Sequence, residues 1–358
     1  MNSASLPRHI FSGLQGNCHV QGIAIDTARK YMYFSFTTSL VKTDLNGNLI
    51  GSVTGLLGHL GCIAFNDRDG RVYGSLEYKH DCIGTGILRA MHQESLALEE
   101  AFYCAVFDVN RITRPNMDAE KDGIMTAVYL RDVVADYCAE WTQNDTLMHH
   151  RYGCSGIDGI SFGPEFGAPS DSKSFLNIAY GIYGDVNRTD NDHQVIVHYD
   201  ITHWAQWAQP LRQEAMHRSG PAHCDAKYFI YTGNTEFGVQ NLEYDPFTGN
   251  WLMCVYRGKK PQFPNAPMYI INGAAAPEEL PLRGQKETGK TLQLWTNGQV
   301  MPDGVCGWPF PLGSTGVIAL GDGYYYFCKN GRRDGREYGD VNLYCWNAEN
   351  PALFEPVN

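Results

Sequence analysis

The sequence predicts an all-β fold, a single five-bladed β-propeller, on its composition, its internal repeat and its turn residues. Charged residues make up only 19% of the chain, whereas glycine (38) and tyrosine (21) are abundant. Short strands joined by tight turns have this composition, and long solvated helices carry more charge. All-β folds of this size, 358 residues, occur as one domain. We therefore expect residues 1–358 to form one propeller.

Five segments repeat one pattern, in which a glycine begins a short apolar run, a turn follows, and a second, aromatic-rich run completes the unit. The segments begin at Gly22, Gly61, Gly159, Gly238 and Gly316. The connecting stretches DRDG, DPFTG and GDG contain residues that tolerate the positive φ of hairpin turns. Each segment therefore predicts the two inner strands of one blade.

Further apolar runs predict the outer strands. Leu40–Leu45 and Leu49–Val53 flank Asn46-Gly47 and form a complete hairpin pattern. The other outer strands are predicted at Val195–Ile201, Tyr228–Tyr231, Met268–Ile271, Leu292–Trp295 and Val341–Trp346. The fifth blade has no obvious outer strand after Trp346. We expect His9–Leu14 or Leu353–Pro356 to supply it and to close the ring.

The long interval between the second and third segments leaves two alternatives open. It could contain a further blade, which would give a six-bladed propeller, and a β-sandwich is the other alternative. The favoured interpretation places the excess residues in insertions, at Asp81–Glu100, Asp132–Tyr152 and Ala274–Lys290. Asp132–Glu140 and Thr202–Gln209 are predicted to be short helices.

Charge and cysteine content restrict the class of function. The formal net charge of −11 disfavours nucleic-acid binding, which needs a dense basic surface. No stretch approaches the roughly 18 apolar residues of a membrane span, and Met1–Gly13 lacks the pattern of a signal peptide. The 11 cysteines are scattered, as expected for small buried side chains in a reducing compartment. We expect a cytoplasmic protein that binds neither nucleic acid nor membrane.

Polar residues from all five blades are predicted to meet at one mouth of the central channel. In a propeller the first strand of each blade lines the channel, and the loops that enter it emerge beside those that leave the second strand. The candidates in or before first strands are His19, Gln21, His59, Asp158, Gln240, Asn241 and Thr315. Those in or after second strands are Glu77, Lys79, His80, Tyr183, Arg257, Lys259 and Lys329.

The segment GIDGISF at 156–162 is similar to the third-blade motif of arabinanase- and invertase-type glycosidases, Ile-Asp-Pro followed by an apolar pair. This resemblance implies an oligosaccharide ligand at the mouth, with Asp158 tuning the pKa of the acid and orienting the substrate. Gln21, and Gln240 or Asn241, stand where those enzymes carry their other carboxylates. Because a glycosidase uses two carboxyl groups, Asp158 and Glu77 are the predicted catalytic pair.

Histidines support a second hypothesis, a polysaccharide lyase directed at uronates. His19, His59 and His80, with His217 and His223, resemble in kind the oligogalacturonate-lyase type of propeller. That resemblance implies a divalent metal such as calcium or manganese. Alternatively, a neutral histidine would act as the base, with Arg257, Lys259 or Lys329 neutralising the uronate carboxylate.

Two further features complete the predictions. The loop from Asp185 places oxygen-bearing side chains at the first positions of a calcium loop, but it has Ile196 in place of the final acid. A hydrogen-bonded turn is therefore the favoured interpretation. The glutamines at 21 and 240 favour a third hypothesis, a non-catalytic propeller that binds a glycan or a protein partner on the same face.

Overall fold

Antiparallel sheets arranged around a central axis make up the protein. The structure, a computed structural model, describes residues 3–143 and 145–358, so Met1, Asn2 and Asn144 lie outside the described residues. Within those residues the innermost strands of five sheets contact one another in sequence, and the fifth contacts the first. The predicted five-bladed β-propeller is therefore confirmed, and the six-bladed and sandwich alternatives are wrong.

Blade 1 follows the N-terminal strand and is a four-stranded meander, as the sequence predicts. A 3₁₀ turn (Ser3–Ser5) precedes β1 (His9–Phe11). The blade consists of β2 (Val20–Ile25), β3 (Tyr31–Phe36), β4 (Ser39–Asp44) and β5 (Leu49–Thr54). The turn between the last two strands contains Gly47 at a φ of +81°, a conformation that favours glycine.

Blade 2 explains the long interval in the repeat. Its elements, in chain order, are β6 (His59–Asn66), β7 (Arg71–Tyr78), α1 (Cys82–Ala90), β8 (Ala101–Phe107), the 3₁₀ turn Val109–Arg111, β9 (Met117–Asp118), β10 (Met125–Tyr129) and α2 (Arg131–Tyr137). Strands β6, β7, β8 and β10 form the blade, while β9 joins the edge of blade 1 in parallel with β5. The remaining residues of the interval include the hairpin β11 (Glu140–Gln143) and β12 (Thr146–His149). The excess length is thus insertion.

Blades 3 and 4 are extended by short strands. Blade 3 has a 3₁₀ turn (Arg151–Gly153), β13 (Cys154–Pro164), β14 (Ser174–Ile182), β15 (His193–Tyr199), a 3₁₀ helix (Ile201–Gln206) and β16 (Ala226–Tyr231). Blade 4 has β17 (Thr235–Asp245), β18 (Asn250–Arg257) and β19 (Met268–Ile271), with a bridge from Ile271 to Leu294 at its outer edge. The later strands are β20 (Glu278–Pro281), β21 (Thr288–Thr291), which is parallel to β16, and the pair β22 (Gln299–Val300) and β23 (Cys306–Gly307).

Blade 5 closes the ring with both segments that the sequence suggested. It consists of β24 (Val317–Ala319), β25 (Tyr324–Arg333), β26 (Arg336–Trp346) and β27 (Phe354–Pro356). The N-terminal strand β1 pairs with β26 from His9 opposite Asn342 to Phe11 opposite Asp340. Strand β27 pairs with the other end of β26. The two chain ends thus share one blade.

The hydrophobic core lies between the blades. The described residues form five apolar clusters, and each cluster combines side chains from two neighbouring blades. Large aromatic side chains such as Tyr33, Tyr180, Trp251 and Tyr325 are fully buried in them. Burying such rings is the main stabilising contribution, at about 25 cal/mol per Å² of apolar surface. Among the described residues, none of the helices is long and apolar enough to cross a bilayer.

Candidate functional site

The channel has two mouths, which we distinguish by strand direction. The innermost strands β2, β6, β13, β17 and β24 begin at the upper mouth and end at the lower mouth. Four of them carry a β-bulge in their upper half. The bulges are marked by register shifts at Val20/Gly22, Leu60/Ile63, Ile157/Ile160 and Glu236/Val239/Asn241. A bulge adds a residue and changes the direction in which side chains point. The candidates Gln21, Asp158 and Gln240 lie at these bulges.

Asn241 divides the channel between the two mouths. Its Nδ2 donates to the carbonyl oxygens of Gln21 (2.8 Å) and Ser314 (3.1 Å). Its Oδ1 accepts a hydrogen bond from the Cys62 thiol (3.1 Å). One side chain of blade 4 therefore reaches blades 1, 2 and 5. The amide of Asn241 is thus engaged by protein groups, and its predicted ligand-binding role stays a prediction.

A carboxylate–imidazole pair lies at the upper mouth. His59 begins β6 and stands directly opposite Glu77 of β7, so the ladder itself brings the two together. His59 Nδ1 lies 3.2 Å from Glu77 Oε1, an ion-pair contact without the alignment of a good hydrogen bond. Burial alone would lower the pKa of His59, but its contact with Glu77 and the charges of Asp158 and Glu77 outweigh burial and raise it. None of the described residues hydrogen-bonds Nε2, which is left for a ligand.

Glu77 is itself held by blade 3. Its Oε2 accepts the Ile157 N–H (2.9 Å), and its Oε1 lies 2.6 Å from Lys79 Nζ. Gly156 has a φ of +123°, and a Cβ there would lie 1.9 Å from Glu77 Oε2, so the position requires glycine. Burial would raise the pKa of Glu77, but Lys79 and His59 outweigh it and lower it. Glu77 is therefore an ionised carboxylate with both oxygens occupied.

Lys79 supplies the positive charge that compensates this carboxylate. Its Nζ also donates to the Ser155 carbonyl oxygen (2.7 Å) and lies 3.6 Å from Asp81 Oδ2. Burial would lower the pKa of Lys79, but Glu77 and Asp81 raise it. Asp81 in turn caps α1 by accepting the N–H groups of Ile83 and Gly84. Sequence reasoning missed Asp81, although a helix N-cap pattern precedes the helix.

Asp158 is the one carboxyl of this group with an unpartnered oxygen. Its Oδ1 is fully enclosed and has no hydrogen-bond partner in the protein. A Cβ at Gly61 would lie 2.3 Å from this oxygen, so the carboxyl packs directly on the neighbouring inner strand. Burial and Glu77 raise the pKa of Asp158 to about 7, against the opposing effects of His59 and Lys79. The carboxyl therefore exchanges a proton near neutral pH.

His19 lies near His59 but has the opposite electrostatic character. It precedes β2, and the residue is exposed at the mouth. The protein around the ring desolvates it, and the positive charge of His59 acts in the same direction, so the pKa of His19 is lowered. Glu337 opposes this shift only partly. The two histidines thus differ in proton affinity, because the pKa of His59 is raised and that of His19 is lowered.

Two exposed cations lie on the second strands of blades 4 and 5. Arg257 and Lys329 are exposed, and no acidic residue of the described chain pairs with either of them. Asn330, next to Lys329, accepts the Val20 N–H (3.1 Å), which brings this part of β25 beside His19. Tyr256, next to Arg257, is close enough to Asp158 for that charge to raise the tyrosine pKa. We refer to Arg257 and Lys329 as the cationic rim, although the whole chain is acidic and Arg257 Nε donates to the Asn265 carbonyl oxygen.

Several predicted ligand-binding side chains contact groups within the protein, and their roles toward a ligand stay predictions. The hydrogen-bonded pairs are Gln21 with Thr37 (3.0 Å), Gln240 with the Phe237 carbonyl (3.0 Å), Tyr183 with Asp81 (2.9 Å) and Thr315 with the Cys328 carbonyl (2.8 Å). Lys259 instead forms an ion pair with Glu236 (3.1 Å). The predicted position of His80 beside His19 and His59 is corrected. Its exposed ring contacts Leu98 and Glu100, not the histidine pair. The period-2 alternation of a strand could have indicated this, because Glu77 and Lys79 share one side.

The metal hypotheses also change. Among the described residues no group of three or more His, Cys, Asp or Glu side chains is arranged to hold a metal ion. His217 contacts Tyr103 and His223 contacts Asp132, so neither joins His19 and His59. In the loop predicted to resemble a calcium site, Lys260 Nζ contacts the Arg188 carbonyl oxygen, Asn191 Oδ1 and Asp192 Oδ1 at 2.5–2.7 Å. A buried ammonium group thus occupies the position of a cation.

The lower mouth was not predicted as a site. It opens into a cavity of about 510 Å³ lined by residues from all five blades. Glu243 lines it, and burial raises the pKa of this carboxyl to about 8. Sequence reasoning considered only the loops at the upper mouth. Alternation along β17 would have placed Glu243 and Asn241 on the same, channel-facing side.

No protein-family model matches the chain, and no curated protein matches it. Among solved structures, a protein of unknown function from Bacteroides caccae is 10% identical, covers 75% of this chain and 91% of its own, and has a TM-score of 0.31. The propeller of Dos1 is 10% identical, with 91% and 78% covered and a TM-score of 0.34. The propeller domain of Myceliophteria thermophila Cps50 (Swd1) is 9% identical, with 92% and 84% covered and a TM-score of 0.31. The assignment of five blades rests on the strand pairing itself.

Proposed function

We propose that the upper mouth cleaves an anionic carbohydrate by elimination, with His19 as the base and His59 as the acid. One arrangement carries this proposal: His59 lies 3.2 Å from the Glu77 carboxylate, whereas the neighbouring His19 is exposed and has no ion-pair partner among the described residues, and their pKa values are shifted in opposite directions. Paired groups whose environments separate their pKa values divide the roles of base and acid at neutral pH. Each such role contributes typically about 10²–10⁴-fold to the rate.

In the proposed reaction, neutral His19 removes the proton from the carbon next to the uronate carboxylate. The electron pair of that C–H bond forms a double bond to the adjacent carbon, whose glycosidic C–O bond breaks. The departing oxygen takes a proton from His59 Nε2. Arg257 and Lys329 neutralise the carboxylate, which makes the neighbouring proton more acidic. One proton enters His19 and one leaves His59, so the histidines exchange protons with solvent between turnovers.

Glu77 and Asp158 serve as positioning residues in this proposal. Glu77 orients the imidazole through Nδ1, and both carboxylates favour the protonated form of His59. Hydrolysis by Asp158 and Glu77 has less support. Both Glu77 oxygens are bound by protein groups, and Asp158 Oδ1 is fully enclosed. A retaining or inverting mechanism needs two carboxyl groups that reach the sugar.

A non-catalytic, glycan-binding propeller is the second candidate. The limited access to His59 favours it, because the side chain is only 10% exposed. In that case the ion pairs at the upper mouth would hold blades 2 and 3 together, and the cationic rim alone would bind the ligand. We also propose, from the scattered cysteines, that either function operates in the reducing environment of the cytoplasm.

The test compares histidine variants on acidic and neutral polysaccharides. We expect His19→Gln and His59→Gln each to reduce formation of the ultraviolet-absorbing unsaturated uronate by about 10²-fold or more. His203→Gln is the matched control, because His203 is exposed in the 3₁₀ helix of blade 3, and it should retain full activity. Release of reducing ends from neutral arabinan without the unsaturated product would replace elimination by hydrolysis. Binding without any turnover would favour the second candidate.

The pH profile gives an independent readout. Activity requires neutral His19, whose pKa lies below the usual 6.5, and protonated His59, whose pKa lies above it. The rate should therefore rise with pH through the lower pKa, form a plateau around 6.5, and fall through the higher pKa. His19→Gln should remove the acidic limb and His59→Gln the alkaline limb. A profile whose limbs do not respond to these variants would contradict both assignments.

A further inference from the structure

The lower mouth is a separate cavity. Asn241 lies between the two mouths, where its side chain bonds to Gln21, Ser314 and Cys62. The lining of the lower cavity includes neither His19 nor His59. The volume of about 510 Å³ lies within the range of roughly 300–1,000 Å³ that is typical of small-molecule sites.

The walls of this cavity combine apolar and polar groups, and part of the apolar wall is aromatic. The ends of the innermost strands contribute aliphatic side chains such as Ile23, Ile63 and Ile318. Phe65 and Phe162 also line it, and both rings are held from behind by tyrosines, Phe65 by Tyr33 and Phe162 by Tyr73. Fixed aromatic rings of this kind stack on the apolar C–H faces of sugar rings.

Hydroxyl groups and the Glu243 carboxyl are among the polar groups of the cavity. Ser170, Ser172 and Ser174 lie at the rim, on and beside the loop between β13 and β14, and all three are at least partly exposed. Glu243 Oε1 accepts the Ala319 N–H (2.9 Å), and its Oε2 accepts the Ser161 hydroxyl (3.2 Å). A protonated carboxyl donates one hydrogen bond and accepts others, as a sugar hydroxyl requires of its partner.

The charges around the cavity balance. Its lining contains two acids besides Glu243, Asp26 and Asp67, and two bases, Arg29 and Arg68. Asp26 is occupied by the N–H groups of Lys30 and Tyr31, and Arg29 donates to Ser3 and Leu320. This lining differs from the cationic rim of the upper mouth and favours a ligand without net charge.

We propose that the lower mouth binds a neutral, polyhydroxylated ligand of the size of a mono- or disaccharide, independently of the chemistry at the upper mouth. The hydroxyls of Ser170, Ser172 and Ser174 and the carboxyl of Glu243 form hydrogen bonds with it. The rings of Phe65 and Phe162 pack on its C–H face. The site retains a neutral sugar and does not cleave it.

The test fills the cavity and measures binding to the full chain. Ala319 is half-buried and lines the cavity, so Ala319→Phe should weaken binding of glucose and cellobiose at least tenfold in ligand-observed NMR. Ala348→Phe is the matched control, because Ala348 is exposed in the turn after β26 and should bind as the wild type does. Ser170→Trp, at the exposed rim, provides a second block that does not depend on repacking. Thermal unfolding verifies that each variant is folded.

The outcomes separate this site from the proposed function. His59→Gln should leave sugar binding unchanged, even if the elimination proposal fails. Binding that survives both Ala319→Phe and Ser170→Trp would overturn the inference. Binding of inorganic phosphate without binding of either sugar would also overturn it, because it would identify an anion site at Arg68. Failure of every probe to bind the wild type would have the same consequence.

The carboxyl provides a charge-specific readout. Asp245 and Asp67 are the charged groups that act on Glu243, and Ser161 and Ala319 contribute hydrogen bonds. Because the pKa of Glu243 is about 8, the wild type should bind sugar more weakly as the pH rises beyond that value. Glu243→Gln keeps a donor at all pH values, so its binding should not change with pH. If sugar binding declined equally with pH in both proteins, Glu243 would not contact the ligand and the inference would be overturned.

Discussion

The upper and lower mouths are formed by the same five innermost strands, yet their buried ionisable groups are stabilised in different ways. At the upper mouth Glu77, Lys79 and His59 compensate one another at short range. At the lower mouth Glu243 has no cationic partner among the described residues, and burial keeps it neutral near pH 7, although hydrogen bonds from Ala319 and Ser161 oppose this by favouring its charged form. The difference indicates that a buried ion needs an oppositely charged partner, whereas a buried carboxyl without such a partner keeps its proton.

The free space around the glycine residues also differs between the two mouths. At the upper mouth, glycines let side chains of one blade pass against the next, as Glu77 does at Gly156 and Asp158 at Gly61. At the lower mouth Gly321 lines the cavity, and nothing lies within 4 Å of the Cβ that it lacks. Substitutions of these glycines by alanine therefore measure how tightly the side chains are packed at each mouth.

The largest expected effect is that of Gly156→Ala. The new Cβ would lie 1.9 Å from Glu77 Oε2 at a φ of +123°, so the carboxylate must move and leave Lys79 and His59 without their partner. We expect a loss of more than about 3 kcal/mol in the free energy of unfolding, because backbone strain adds to a broken buried ion pair. Equilibrium unfolding in urea measures it.

Gly321→Ala is the matched control at the lower mouth. Its φ of +86° imposes backbone strain, but the added methyl meets open space. We expect a cost of about 1–2 kcal/mol, the strain alone. Equal losses at the two positions would contradict the difference in packing between the mouths.

Removal of the partition between the mouths should have a smaller effect. Asn241→Ala leaves the carbonyl oxygens of Gln21 and Ser314 and the thiol of Cys62 without their partner. We expect a loss of about 2–3 kcal/mol, in the range for buried groups left unsatisfied. Asn187→Ala, in the exposed loop after β14, should change stability by less than about 0.5 kcal/mol.

Thiol labelling of the same variants measures the opening of the channel. Burial raises the pKa of the Cys62 thiol to about 12, so the wild-type thiol should react very slowly under native conditions. In Asn241→Ala, water reaches Cys62 and its labelling rate should rise, while that of Cys104, buried within blade 2, should stay unchanged. An unchanged rate at Cys62 would show that Asn241 does not close the channel.

The sequence was sufficient to predict the blades because their signals are local. Glycine turns and alternating apolar runs define each hairpin, and the N-terminal strand was expected in blade 5 because that blade lacked a partner strand. The convergence of His19, His59 and Asp158 follows from the ring once its five repeats are recognised. Their proposed roles stay predictions until the variants are assayed.

The remaining features depend on contacts between blades, which no local pattern encodes. Lys260 is distant in sequence from the loop whose oxygens it binds. The sequence of that loop alone therefore resembles a calcium loop and does not show that an ammonium group contacts its oxygens. The channel partition depends on the bulges that bring Asn241 to the axis. Side-chain alternation could have indicated two features in advance, the outward orientation of His80 and the inward orientation of Glu243.

The smallest expected effect is on the pH dependence of stability, and it compares one carboxyl from each mouth. The pKa of Asp158 is raised to about 7 and that of Glu243 to about 8, whereas both are near 4 in the unfolded chain. The folded state therefore binds these protons more tightly, and each group lowers stability as the pH rises from about 4 through its folded-state pKa. Asp158→Asn and Glu243→Gln should each make the loss between pH 6 and 7 smaller, by about 1 kcal/mol. Urea unfolding at several pH values measures this, and the two effects should add in the double variant because Asn241 separates the mouths. If Asp158→Asn alone flattened the curve, the lower carboxyl would be ionised in the folded protein and the contrast between the mouths would not hold.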